Sequence, residues 1–278
     1  MERRAAVLGS PISHSLSPAL HRGAYAALGL TGWRYDAIAC DEAGLPGLLA
    51  GLGPEWAGLS LTMPLKRAVL PLLDTVADLA VEVGGVNTVV LRDGARHGEN
   101  TDVHGIVAAL AESGVRAPRG ATILGGGATA ASALAALREL GLPEATLVVR
   151  DRTGARETEE AAERLGMRVT VETFDKLDAL LDVDLAVSTL PPGAADPYAA
   201  SLAAVPTLFD VVYAPWPTPV ARAVAGAGGT VVSGFTMLVH QAVRQVELYT
   251  GLRRGAVPVD LVKAAGEAEI ARRSARTD

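Results

Sequence analysis

The sequence predicts an α/β protein: an N-terminal α/β domain completed by C-terminal helices, with a doubly wound α/β domain inserted between them. Three observations predict it. Short apolar, strand-like runs alternate with stretches of helical period along most of the 278 residues. A glycine triplet, Gly125, Gly126 and Gly127, joins one such run directly to a helix. After the last strand-like run, "FTMLVHQAVRQVELYTG" is a strongly amphipathic helix that has no strand to follow, so it reads as a return to the first domain. The expected boundaries are residues 1–103 plus 236–278 for one domain and 104–235 for the other.

In order along the chain, residues 5–8, "AAVL", read as a buried strand ending at Gly9. A serine-bearing loop follows, then Leu20, Ala24, Ala27 and Leu28 at helical spacing, with Gly29 closing the helix. "WRYDAIAC" alternates as a strand, "LPGLLAGL" reads as a short helix, and "WAGLSLTMP" as a strand running into a loop. "LKRAVLPLLD" and "ADLAVEVGGVNTVV" add helix and strand, so the first sheet is expected to be mainly parallel. In the second domain "GIVAALAESG" is a helix, residues 120–142 a strand, glycine turn and helix, and "EATLVVRDR" a strand. "TGARETEEAAERLG" is a charged helix, and "RVTVETF", "VDLAVSTLPPG", "PTLFDVVY" and "GGTVVSG" supply four more strands, a βαβ rhythm. The chain ends in a polar helical tail whose last residues are expected to fray.

Composition narrows the function. Apolar residues make up 49%, enough for real cores, and the formal charge is −6 with no basic block, which argues against nucleic acid or an anionic membrane as partner. The single cysteine, Cys40, allows no internal disulfide and no multi-cysteine metal site, and reads as a small apolar residue at a strand end. No apolar run approaches the length of about 18 residues needed to span a membrane. The N-terminal apolar run is too short for a signal peptide, so a soluble, cytoplasmic protein is expected.

Several residues carry chemistry. In "SPISHSLSPALH", Ser17 can be the N-cap of a helix whose first residue is Pro18. Ser15 is then unexplained, and the alternative is that the pair holds an anion or a polyol. The strand–turn–helix at Gly125, Gly126, Gly127 and Ala128 lets the backbone approach a pyrophosphate, with free N–H groups at the helix start. At the end of the next strand stand Asp151, Arg152, Thr153 and Arg156. The arginines and threonine suit the 2′-phosphate of NADP, whereas an aspartate suits the ribose hydroxyls of NAD; NADP is preferred and NAD stays open. Lys66 in "SLTMPLK" and Asp102 in "GENTDVHG" sit on loops after apolar strands and suit a general acid/base pair serving hydride transfer. Against this, Lys66 could be an exposed lysine, Asp102 a helix cap and Asn87 a turn residue. His14, His21, His97 and His104 read as loop or surface residues, His240 as packing or surface, and no metal site is expected.

These segments resemble a known family. "GSPISHSLSPALH", "SLTMPLK", "GGVNT", "GENTDVHG", "LGGGATAAS", "VRDRT" and "GFTMLVHQAV" occur in the order and spacing of the shikimate dehydrogenases, from residue 8 to about residue 250. The resemblance implies a substrate-binding domain built from both chain ends and an inserted Rossmann NAD(P)-binding domain. It implies that Lys66 and Asp102 are the catalytic pair and that Ser15 and Ser17 bind the substrate carboxylate. Thr62, Asn87 and Asp102 would hold ring hydroxyls together with Lys66, Gln241 would reach the substrate, and Tyr213 would grip its carboxylate. Ser188, Thr189, Leu190, Gly234 and Met237 would lie on the cofactor, with Met237 beside the nicotinamide. The implied reaction is reversible NADPH-dependent reduction of 3-dehydroshikimate to shikimate, in chorismate and aromatic amino acid biosynthesis, by a monomer or homodimer. Three departures from the family pattern stand out: Ser60 and Asp151 each replace a usual asparagine, and "VSTLPPG" differs from the usual "NATSxG". Asp151 keeps open an NAD-using quinate/shikimate dehydrogenase, and a catalytically silent ligand sensor on the same fold is the rival of another class.

Overall fold

The computed structural model describes residues 2–275 and divides into two compact units. The first comprises residues 1–81, 85–101 and 238–278, and the second residues 82–84 and 102–237.

The first unit holds strands β1 (Arg3–Gly9), β2 (Trp33–Ala39), β3 (Trp56–Leu61), β4 (Thr75–Val76), β5 (Thr88–Arg92) and β6 (Ala95–Glu99), in the order β2-β1-β3-β5-β6-β4. β1 pairs in parallel with β2 and β3, as its apolar run and the intervening helix demand. The sheet is mixed rather than mainly parallel, because β5 runs antiparallel to both β3 and β6. The Asp93–Gly94 turn, with φ values of 53° and 78°, makes the tight hairpin that sets β6 antiparallel to β5. Helices α1 (Ser17–Ala27), α2 (Leu45–Ala50), α3 (Leu65–Ala68) and α4 (Asp78–Val83) connect these strands. Leu8, Leu45, Leu59, Leu65, Val86 and Val89 form the core on one face of the sheet.

The second unit holds β7 (Ala121–Leu124), β8 (Glu144–Val149), β9 (Arg168–Thr173), β10 (Leu185–Ser188), β11 (Thr207–Asp210) and β12 (Thr230–Ser233), all parallel. Their order, β12-β11-β10-β7-β8-β9, is the doubly wound 3-2-1-4-5-6 pattern counted from β7. β7, β10 and β11 are buried along their whole length, which is why each is a short continuous apolar run. The helices are α5 (Asp102–Glu112), α6 (Ala128–Glu139), α7 (Arg156–Leu165), α8 (Ala199–Leu202) and α9 (Pro219–Gly226). α7 buries Thr158, Ala161, Ala162 and Leu165 along one stripe and exposes its charges.

Two long helices close the chain: α10 (Gly234–Thr250) and α11 (Val259–Ser274). α11 lies against α1 so closely that a β-carbon on Gly23 would overlap that of Ala265. Among the described residues, no helix is long and apolar enough to cross a membrane, and no cluster of three or more His, Cys, Asp or Glu could hold a metal.

Candidate active site

The serine loop is built differently from the expected cap. Ser17 is the first residue of α1, Leu16 holds the N-cap position, and no side chain caps the helix there. Instead the Ser15 hydroxyl accepts the Ser17 N–H at 3.2 Å, a two-residue turn that takes the first orphan donor. The loop is also clamped from the far end of the chain. Arg273 on α11 donates to the carbonyls of His14 (2.7 Å) and Ser15 (2.9 Å), and Glu269 holds the same guanidinium at 2.7 Å. Arg272 and Arg273 together pull the Glu269 carboxyl down to about 2. The polar tail is thus a structural anchor through Ser274, and its last three residues lie outside the described residues.

His21 is a second correction. It is fully buried rather than at the surface. Its ring stacks on Tyr35 with centroids 3.8 Å apart, and Nδ1 lies 2.9 Å from the Ser17 carbonyl. Because a carbonyl only accepts, Nδ1 carries the proton of the neutral ring. Burial holds its pKa down to about 3.

Thr62 and Lys66 flank the turn that ends β3. The Leu65 N–H bonds the Thr62 carbonyl, and the Val86 N–H bonds the Lys66 carbonyl, both at 2.8 Å, so this turn is tied to the segment carrying Asn87. Lys66 is half-buried on α3, and Asp102 is buried as the first residue of α5, in the second unit. Asn87, Thr101 and Gln241 come together: Asn87 Oδ1 accepts the Thr101 N–H at 2.8 Å, and Asn87 Nδ2 donates to Gln241 Oε1 at 2.9 Å.

In the second unit, Gly125, Gly126, Gly127, Asp151, Thr153 and Leu190 line one cavity of about 260 Å³, with Val149, Arg150, Gly154 and Phe174. Gly125 has φ +114°, and a β-carbon on Gly126 would lie 2.7 Å from the Gly154 carbonyl. Only glycine fits this turn. Gly127 is the N-cap of α6, and no side chain caps the first N–H groups of the helix there. A dinucleotide pyrophosphate fits these residues on both counts. Asp151 turns its Oδ1 onto the Thr153 N–H at 2.9 Å, and that bond, with the Thr153 hydroxyl, lowers its pKa. Arg156 pairs with Glu160 at 3.2 Å and, like Arg152, does not line the cavity. Ser188 is buried in register with Asp210, and the Thr189 hydroxyl bonds the Leu124 carbonyl at 2.9 Å. Gly234 and Met237 are buried at the start of α10, and Tyr213 is half-buried after β11.

Sequence reasoning missed three supports. Thr158 on α7 donates to the Gly126 carbonyl at 2.6 Å and pins the glycine loop. Asp210 accepts from Thr218 (2.8 Å) and from the Val212 N–H (3.2 Å), fixing the segment that carries Tyr213. Arg273 anchors the serine loop. Only Thr158 left a signal: it is a buried-phase threonine on an otherwise charged helix.

A doubly wound unit with a glycine loop, joined in one chain to a second α/β unit, defines a two-domain dinucleotide-binding protein. The family described as the shikimate dehydrogenase substrate binding domain matches residues 7–89. The NADP(+) shikimate dehydrogenase of Synechococcus sp. (strain JA-3-3Ab) is 34% identical over 95% of this chain and 93% of its own length. The crystal structure of Mycobacterium tuberculosis shikimate dehydrogenase matches with a TM-score of 0.88 at 43% identity, covering 96% of this chain and 99% of that one. The Thermus thermophilus shikimate 5-dehydrogenase, solved in complex with NADP(H) and shikimate, matches with a TM-score of 0.83 at 32% identity, covering 96% and 99%. This chain belongs to the shikimate dehydrogenase family.

Proposed function

We propose that this chain is an NADP-dependent shikimate dehydrogenase that reversibly reduces 3-dehydroshikimate to shikimate, in chorismate and aromatic amino acid biosynthesis. The observation that carries the reading is the near full-length likeness to a relative solved with both NADP(H) and shikimate. The unit built from both chain ends binds substrate, and the inserted unit binds the dinucleotide, with expected limits near residues 103 and 236. The protein acts in the cytoplasm as a monomer or homodimer, on small molecules only.

NADPH, when bound, supplies the hydride. Lys66 Nζ protonates the carbonyl oxygen as it becomes an alkoxide, and takes the proton back in the oxidation direction. Asp102 keeps the ammonium oriented and accepts from the neighbouring hydroxyl. Ser15 and Ser17 donate to the substrate carboxylate, with Tyr213. Thr62, Asn87 and Gln241 hold the ring hydroxyls. Gly125 to Ala128 would cradle the pyrophosphate, Arg152, Thr153 and Arg156 would hold the 2′-phosphate, and Thr189, Leu190, Gly234 and Met237 would contact the nicotinamide half, with Ser188 supporting them from the strand.

Asp151 is what favours the second reading, an NAD-using quinate/shikimate dehydrogenase. Its engagement with the Thr153 N–H supports the NADP reading, because the carboxylate serves its own turn. Lys66 and Asp102 speak against a silent sensor, which needs no proton relay. Steady-state oxidation of shikimate and of quinate, each with NADP and NAD, tests all three. Preference for shikimate with NADP is expected; comparable rates with NAD or with quinate favour the second reading, and no turnover with any pair favours the sensor.

A further inference from the structure

A buried chain of side chains in the first unit fixes which way the Gln241 amide faces. Its members are Tyr35, Ser60, Gln245, Thr88 and Asn87, each at most 4% exposed. They come from β2, β3, α10, β5 and the residue before β5. Apart from the neighbours Asn87 and Thr88, they lie far apart in the sequence.

The direction of every proton in the chain follows from two backbone groups. The Asn87 carbonyl can only accept, so the part of Gln245 that faces it, 3.3 Å away, is the NH2 group. Gln245 Oε1 therefore faces Ser60 and accepts its hydroxyl at 2.8 Å. Ser60, having spent its proton, accepts from the Tyr35 hydroxyl at 2.6 Å and from Tyr249 at 2.9 Å. Gln245 Nε2 also donates to the Thr88 hydroxyl at 2.9 Å, and Thr88 passes its own proton to Asn87 Oδ1 at 2.8 Å. The second backbone group is the Thr101 N–H, which can only donate. It too points at Asn87 Oδ1, at 2.8 Å. Both anchors thus place the Asn87 oxygen on the same side. Asn87 Nδ2 must then face Gln241, and it donates to Gln241 Oε1 at 2.9 Å.

We propose that this polarised chain makes Tyr35, Ser60, Gln245 and Thr88 positioning residues for substrate binding: it consumes the Gln241 oxygen and leaves the Gln241 NH2 as the group offered to a substrate oxygen. The proposal rests on the reading of Gln241 as a substrate contact. It also gives Ser60 a reason. A serine accepts two hydroxyls and donates one proton from a single atom, which is what the junction between Tyr35, Tyr249 and Gln245 requires. Gln241 sits one helical turn before Gln245 on the same face of α10, so both amides meet the Asn87–Thr88 segment, through which the orientation is passed.

The test is a double-mutant cycle read in shikimate KM at saturating NADP. Gln245→Met keeps the volume and removes both the amide oxygen and the amide NH2. It is expected to raise shikimate KM by about tenfold in the wild-type background, but by less than about twofold in the Gln241→Ala background. The KM for NADP is expected to stay unchanged. A rise of equal size in both backgrounds overturns the proposal, because Gln245 would then act on substrate or stability independently of Gln241. No rise in the wild-type background overturns it too. Should Gln245→Met not fold, Ser60→Ala, which deletes one oxygen four hydrogen bonds from Gln241, must show the same dependence on background. The orientation itself is read by 15N–1H spectra: the Gln241 side-chain NH2 pair, assigned by its loss in Gln241→Ala, is expected to shift on adding shikimate. An unmoved pair overturns the orientation. Wild-type enzyme that neither binds nor oxidises shikimate refutes the functional reading, whereas a wild-type enzyme that turns over without the coupling refutes only the chain.

Discussion

Acid sensitivity should be concentrated at His21. The ring is fully buried, its Nδ1–H is committed to the Ser17 carbonyl, and burial lowers its pKa from 6.5 to about 3. The folded-state value lies below the unfolded one, so the unfolded chain takes up the proton first as pH falls. Stability is therefore full above about pH 6.5 and falls as pH drops through the window down to about 3. From pH 7 to pH 5 the single-site linkage relation gives a loss of about 2 kcal/mol from this residue. Asp210 works in the opposite sense: burial raises its pKa, so its contribution grows as pH falls from that raised value to the ordinary carboxylate value of 3.8, equally in wild type and variant. The perturbation is His21→Asn, which keeps a donor for the Ser17 carbonyl and removes the titration. Urea unfolding at pH 7, 6 and 5, followed by tyrosine and tryptophan fluorescence, should show the variant less stable at pH 7 because the stacked ring is gone. Its stability should then fall by about 2 kcal/mol less than wild type between pH 7 and 5. Equal pH slopes for the two proteins would refute the argument that a neutral buried ring is what acid attacks.

Four further outcomes are expected. Lys66→Ala should lower kcat by about 10²–10⁴-fold with unfolding midpoints near wild type, because it removes the proton donor and little packing; near-normal kcat would rule out the assigned role. Asp151→Asn keeps an oxygen for the Thr153 N–H and removes the charge, so NADP KM should fall by about threefold to tenfold while NAD KM does not fall, in steady-state assays. Thr158→Val leaves the Gly126 carbonyl without its buried donor and should raise NADP KM by about tenfold, measured beside an unchanged shikimate KM. Arg273→Gln releases the carbonyls of His14 and Ser15 and should raise shikimate KM by about fivefold with kcat little changed.

The second unit was legible because its signals are local. Apart from β9, its parallel strands are built on short apolar runs between glycines, prolines or charges, and the glycine loop announces itself within ten residues. In the first unit β6, "ARHGE", carries no such run. It is held by backbone pairing to β5 and β4, and the Asp93–Gly94 pair was the only trace of it. His21 was misplaced for a related reason. Periodicity marks Leu20 and Ala24 as the inner face of α1 but treats a histidine as polar. What makes burial tolerable is a carbonyl one turn back and a tyrosine ring from β2, and only the second is invisible in a linear reading.

The candidate site divides along the same line. Residues that would touch ligand, such as Lys66, Asp102 and the glycine loop, sit in short motifs, because chemistry constrains neighbours in sequence as well as in space. Residues that hold those groups in place answer to a different constraint. Arg273 needs only to reach two carbonyls, and Gln245 needs only to accept from one hydroxyl and donate to another, so either can come from any element that passes nearby. Backbone carbonyls and N–H groups decide the polarity of such contacts, and, proline apart, they are the same for every residue type. Which amide end faces a substrate is therefore decided by atoms that the sequence does not vary, placed by a fold that it does.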